Sequence, residues 1–105
     1  MMFTFRMTLL ALIFLPAAAL AHQINGILQN ANGQPVRNKS VEIRCAPPVN
    51  ESQKTTTNNS GSFSFFIPTT GRCRIIVDGA MYEVYSSANP VRYDLIFDSG
   101  RLRRR

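Results

Sequence analysis

Residues 57–79 read T-N-N-S-G-S-F-S-F-F-I-P-T-T-G-R-C-R-I-I-V-D-G. The order is turn, strand, turn, strand, turn. In Ser62–Ile67 the residues Phe63, Phe65 and Ile67 alternate with smaller or polar ones, and in Arg72–Asp78 the inward set is Cys73, Ile75 and Val77. Alternation with a period of two buries one face of a strand and wets the other. Asp78-Gly79 is a tight-hairpin pair leading into a third strand, Ala80–Ser86. Phe66 breaks the alternation, free to cover a sheet edge or to face a partner.

The pattern continues on both sides. Upstream lie Gln23–Gln29, a turn N-A-N-G-Q-P, and Lys39–Cys45, where Val41, Ile43 and Cys45 alternate with Ser40, Glu42 and Arg44. A-P-P at 46–48 ends that strand, because proline cannot donate to a ladder. T-T-T within Val49–Asn59 reads as a weak, exposed strand. Downstream, Val91–Asp98 alternates Val91, Tyr93, Leu95 and Phe97 with Arg92, Asp94 and Asp98. Short strands separated by turn residues at this spacing predict an all-β sandwich.

The first 21 residues have a different character. Arg6 precedes an apolar run from Leu9 to Leu15, then Pro16 and the small-residue segment ending Ala19-Leu20-Ala21. This is the n-, h- and c-region order of a secretory leader, with cleavage expected after Ala21 and Ala19 as the second choice. The apolar run is too short for a retained membrane span. No cysteine follows it directly to take a lipid anchor.

Residues 22–105 then form one small domain, a size that benefits from a covalent staple. Cys45 and Cys73 are the only cysteines, so in an exported chain they are expected to pair. Both sit on the inward faces of their strands, which makes a bridge in the core sensible. Closing a loop of this length is worth about 3.5 kcal/mol in the chain-entropy model. Total stabilities are only about 5–15 kcal/mol. Without histidine neighbours the pair falls short of a zinc ligand set.

The formal charge is +6, but four of the basic residues are Arg101, Arg103, Arg104 and Arg105. Residues 22–100 carry 7 basic and 6 acidic side chains, so basicity is a property of the tail. Such a run either solubilises a disordered end or contacts an anionic partner: lipopolysaccharide, peptidoglycan or an acidic protein. Leu102 is the one residue that could continue a last strand and dock part of the tail. Nucleic acid fits poorly, since the aromatic residues are committed to the core pattern.

The run G-x-L-x-N-x-x-G-x-P-V-x-N-x-x-V-x-I falls at Gly26, Leu28, Asn30, Gly33, Pro35, Val36, Asn38, Val41 and Ile43. T-N-x-x-G-x-F-x-F follows at Thr57, Asn58, Gly61, Phe63 and Phe65, then G-x-C-x-I-x-V at Gly71, Cys73, Ile75 and Val77. Together they resemble the carboxypeptidase regulatory-like domain, a transthyretin-like β-sandwich. The resemblance covers Gly26 to Val77. It implies a non-catalytic module that accompanies peptidases or outer-membrane receptors or stands alone in the bacterial envelope. Where the family usually has an aromatic residue this chain has Cys73, which suggests a disulfide-stapled stand-alone version.

Candidates for chemistry are few. His22, the only histidine, would become the N-terminus, where amine and imidazole can chelate copper, but a copper enzyme needs a second histidine. The transthyretin-like fold also hosts a 5-hydroxyisourate hydrolase, which uses several histidines and a C-terminal Tyr-Arg-Gly-Ser signature; this chain ends R-L-R-R-R. No serine or cysteine has a histidine in the domain to activate it. Glu42, Asp94 and Asp98 alternate outward as a solvated face, and nothing in the spacing of Glu42, Glu51, Asp78 and Glu83 argues for a carboxylate pair. Tyr82 and Tyr85 fall on opposite faces of one strand, so one of them, with Phe66, is a candidate surface aromatic.

The expectation is therefore an all-β, seven-stranded Greek-key β-sandwich of transthyretin or immunoglobulin-like type over residues 22–100, preceded by a signal peptide (1–21) and followed by a basic tail (101–105). The expected role is a secreted or periplasmic binding or structural module for an envelope protein or glycan, with no catalytic site, cofactor or metal, and no transmembrane segment once the leader is removed. A surface-assembly or adhesion subunit using an edge strand is the alternative within that class. A small hydrolase or metal enzyme is the alternative from another.

Overall fold

The computed structural model describes residues 22–47 and 49–105. The expected leader, 1–21, lies outside the described residues. Nine strands and no helix occur among the described residues: β1 (Gln23–Gln29), β2 (Ser40–Cys45), β3 (Ser52–Thr56), β4 (Ser62–Phe66), β5 (Gly71–Val77), β6 (Ala80–Ser86), β7 (Val91–Arg92), β8 (Leu95–Asp98) and β9 (Arg101–Arg104). One sheet runs β4-β1-β8-β9, with β7 also paired to β1; the other runs β3-β2-β5-β6. Their inner faces meet in one core, to which Ile24, Leu28, Phe63, Phe65 and Leu95 come from the first sheet and Val41, Ile43, Ile75, Val77 and Val84 from the second. The alternation read in the sequence is the alternation buried here.

Seven strands were expected and nine are present, for two physical reasons. Val91–Asp98 was expected to run unbroken, but β7 and β8 are two pieces of one path lying parallel to β1. Ile24 faces Val91 and Leu28 faces Leu95, so the register is the same on both sides of the break. Between them Tyr93 N donates to Asn25 O at 2.8 Å, while Ile27 N donates to the Asp94 carboxylate at 3.1 Å instead of to a backbone carbonyl. The Tyr93 carbonyl presses against Gly26, where a Cβ would collide with it and lie 2.7 Å from the Phe63 ring. Only glycine fits there. Asp94, expected on an ordinary solvated face, is in fact half-buried and holds this junction.

The second addition is β9. Asp98 and Arg101 are paired across Ser99-Gly100, both of which have positive φ (52° and 78°), the backbone of a two-residue hairpin. Leu102 sits opposite Phe97 and both pack against the core. Residues 101–104 are thus a strand, and the boundary drawn before Arg101 does not separate fold from tail.

Two Asn-x-x-Gly turns shape the resemblance-bearing motifs, and they are built alike. The Asn30 side-chain carbonyl accepts from Asn32 N and Gln34 N, and that of Asn58 from Ser60 N and Ser62 N. In each, the glycine N–H (Gly33, Gly61) donates to the asparagine carbonyl. At Gly61, φ is +77° and a Cβ would lie 2.5 Å from Leu28 O, while Leu28 N donates to Gly61 O at 2.8 Å. Thr57, 1% exposed, closes the core beside the second turn: its hydroxyl donates to Val36 O (2.7 Å) and accepts from Lys39 N (2.9 Å).

Cys45 and Cys73 are bonded, and they are neighbours in one sheet, directly opposite each other on β2 and β5. Cys45 N donates to Glu51 O on the other side and Ala46 N to Arg72 O, so the cysteines form a non-hydrogen-bonded pair, where side chains of an antiparallel ladder come closest. The loop they close spans 28 positions of sequence.

Two outcomes follow. Cys45→Ala/Cys73→Ala lowers the unfolding free energy by about 2–4 kcal/mol, and reduction of the wild-type adds about two mass units; native labelling of two free thiols contradicts the bridge. Thr57→Val, nearly isosteric, leaves Val36 O and Lys39 N without their partner and costs about 1–3 kcal/mol, read by urea unfolding, whereas Thr57→Ser retains most of the stability.

Candidate functional site

Of the four arginines singled out in the sequence, Arg101, Arg103 and Arg104 lie on one edge strand and Arg105 just beyond it, and they do not form one patch. Within β9 the side chains alternate, so Arg101 and Arg103 point outward while Leu102 and Arg104 face the other way. The Arg104 guanidinium stacks 4.7 Å from the centre of the Tyr93 ring and donates to Arg92 O at 3.1 Å. Arg105 is tied by its backbone N–H to Asp94 O. Arg92, Asp94, Arg104 and Arg105 line a cavity of about 400 Å³. Arg101 and Arg103 are exposed, and among the described residues neither has an ion-pair partner. They occupy an outermost strand, where arginines also discourage edge-to-edge pairing.

The tyrosines close the seam between the sheets at this end. Tyr82 and Tyr93 meet edge to face at 6.3 Å, and the Tyr93 hydroxyl accepts from Tyr85 N, an outward-pointing amide of edge strand β6. Gln53 does the same at the opposite seam, donating from β3 to Phe66 O on β4. Phe66 and Tyr85, 46% and 51% exposed, lie on the outer faces of different sheets. The common aromatic surface considered for Phe66 and a tyrosine does not exist.

A second basic surface went unread in the sequence. Because Cys45 and Cys73 point inward and face each other, Arg44 and Arg74 must point outward and face each other one pair along. Arg72 follows on β5 beside Tyr85, and Ile76 lies beside Met81. Arg44 pairs with Glu42 at 2.8 Å and Arg74 with Glu83 at 3.3 Å; Arg72 has no ion-pair partner among the described residues. A shallow cavity of about 380 Å³ opens among Arg44, Arg72, Arg74, Ile76, Met81 and Glu83. The signal was present as arginine on each side of Cys73 and before Cys45, but it needed the register to bring the strands' arginines together.

Glu42 shows the field of this surface. The hydrogen bond from Arg44 holds its carboxyl below the ordinary value; partial burial works against this, and the charges of Arg44 and Lys54 and a hydrogen bond from Ser52 add to the lowering.

The residues weighed for catalysis stand apart. His22 is at the start of the described chain, its Nδ1 enclosed without a hydrogen-bond partner, and no three His, Cys, Asp or Glu side chains converge as a metal site among the described residues. Glu42, Asp78 and Glu83 are ion-paired to Arg44, Lys39 and Arg74, and Glu51 accepts from Gln53. Among the described residues no helix is long and apolar enough to cross a membrane.

No family model matches the chain, and no curated protein matches it.

A titration tests the Glu42 arrangement. With a folded-state pKa below the unfolded one, its contribution to stability is complete above the unfolded carboxylate range and disappears as pH falls through the folded value. Arg44→Gln moves the Glu42 midpoint, followed by side-chain carbonyl NMR, upward toward the ordinary value; an unmoved midpoint contradicts the assignment.

Proposed function

We propose that the protein is a small, exported, non-catalytic binding module of the bacterial envelope, a stand-alone version of the carboxypeptidase regulatory-like, transthyretin-like β-sandwich, which holds an anionic envelope protein or glycan on the arginine edge of β9. Export is supported by the leader-like start and by the disulfide, which persists in oxidising compartments. The family reading is supported by the two like-built Asn-x-x-Gly turns and by Gly26, each at a motif position with its own physical requirement.

The single observation that carries the binding reading is the pair Arg101 and Arg103, held outward on an ordered edge strand without acid partners among the described residues. An ordered strand presents these charges at lower entropic cost than a frayed end would. Arginine rather than lysine at both positions suits forked recognition of carboxylate or phosphate.

Removing residues 101–105 would strip β9 from β8 and uncover Phe97, confounding binding with folding. Arg101→Gln/Arg103→Gln keeps the strand. In co-sedimentation with isolated envelope fragments at low salt, the wild-type is retained and released as salt rises, and the double variant loses most of its retention. Equal retention of both proteins overturns the reading.

A further inference from the structure

The outer face of the β3-β2-β5-β6 sheet presents a second arginine-bearing surface, apart from the β9 edge. Along β5 the outward residues are Arg72, Arg74 and Ile76 in succession. Beside them on β6 stand Tyr85, Glu83 and Met81, and on β2 Arg44 faces Arg74. Three features of this row are unusual for a plain solvated sheet. Like charges directly opposite each other destabilise a ladder, yet Arg44 and Arg74 occupy such a pair, each held by one acid, Glu42 and Glu83. Met81 and Tyr85 stand 56% and 51% exposed among the arginines. Arginine, tyrosine and methionine are the residue types enriched where proteins meet.

We propose that this face docks an extended acidic segment of a partner protein, of pattern acid-x-acid-x-apolar, laid along β5. Alternate residues of a strand are about 6.7 Å apart, so Arg72 and Arg74 match two acids spaced i and i+2 in another extended chain. The next alternate residue of that chain lies over Ile76 and Met81, where an apolar side chain fits. Stacked extended chains sit about 10 Å apart, a gap that one arginine and one glutamate span together. One incoming carboxylate neutralises Arg72, and the other shares Arg74 with Glu83. Glu83, beside Arg74, is the one adverse charge lining the cavity.

The test uses the oxidised, isotope-labelled protein and a capped synthetic peptide, Ser-Glu-Thr-Glu-Thr-Leu-Ser, followed by amide NMR shifts. The expected result is saturable binding with shifts centred on β5 and β6. Arg72→Gln/Arg74→Gln weakens it about tenfold or more, and Arg101→Gln/Arg103→Gln leaves it unchanged. Glu83→Gln, which removes the adverse carboxylate, tightens it. The proposal is overturned by absence of binding at millimolar peptide, by equal binding of a same-composition peptide with adjacent glutamates, or by weakening on Glu83→Gln. It is also overturned, in favour of a glycan ligand, if an oligogalacturonate binds through Arg72 and Arg74 and the peptide does not. A loss confined to the Arg101/Arg103 variant would instead place the peptide on β9.

Discussion

The structure depends on the facing of Cys45 and Cys73 across β2 and β5. In a ladder with a side-chain period of two, one such pair decides every other position on both strands. With sulfurs inward, Val41, Ile43, Ile75 and Val77 must also be inward, and these four are completely buried. The same choice sends Arg44, Arg72 and Arg74 to the outer face. The disulfide therefore acts on two levels. It restricts the unfolded chain, and it pins the register that separates the core from the outer arginine face.

A small domain with two outer faces and four sheet edges must protect those edges, and here it does so with side chains. The Tyr93 hydroxyl takes an outward amide of β6, Gln53 reaches across to the Phe66 carbonyl on β4, and β9 is rich in arginine. Asp94 belongs to the same strategy, since its carboxylate stands in for a missing backbone acceptor between β7 and β8 while receiving Arg92. Tyr93 thus links three features: the break in the strand, the β6 edge and the platform beneath Arg104.

Much of this was legible in the chain. The bounds of β1 and β6 coincide with the runs Gln23–Gln29 and Ala80–Ser86, because local turn residues mark where these strands end. The turns at Asn30 and Asn58 were legible because their bonds are local. The break at Tyr93-Asp94 was not, since it rests on contacts to Gly26 and Ile27, more than sixty positions away in the chain. β9 was hidden by its composition: R-L-R-R-R reads as a solvated end, and only Ser99-Gly100 and Leu102 argue otherwise. At the site, Arg101, Arg103, Arg104 and Arg105 were singled out together, and strand geometry divides them. The arginines beside the cysteines went unread because alternation tells which way a side chain points, and only pairing tells which side chain it meets.

The most direct measurement of the central claim is the pattern of cross-strand contacts between α-protons of β2 and β5 in the oxidised protein. A non-hydrogen-bonded pair brings its α-protons together, so the account predicts a strong NOE between those of Cys45 and Cys73 and another between those of Ile43 and Ile75. A strong contact between Cys45 and Arg72 or Arg74 in its place would mean a one-residue slip, with arginine turned toward the core, and would contradict both the packing and the surfaces described above.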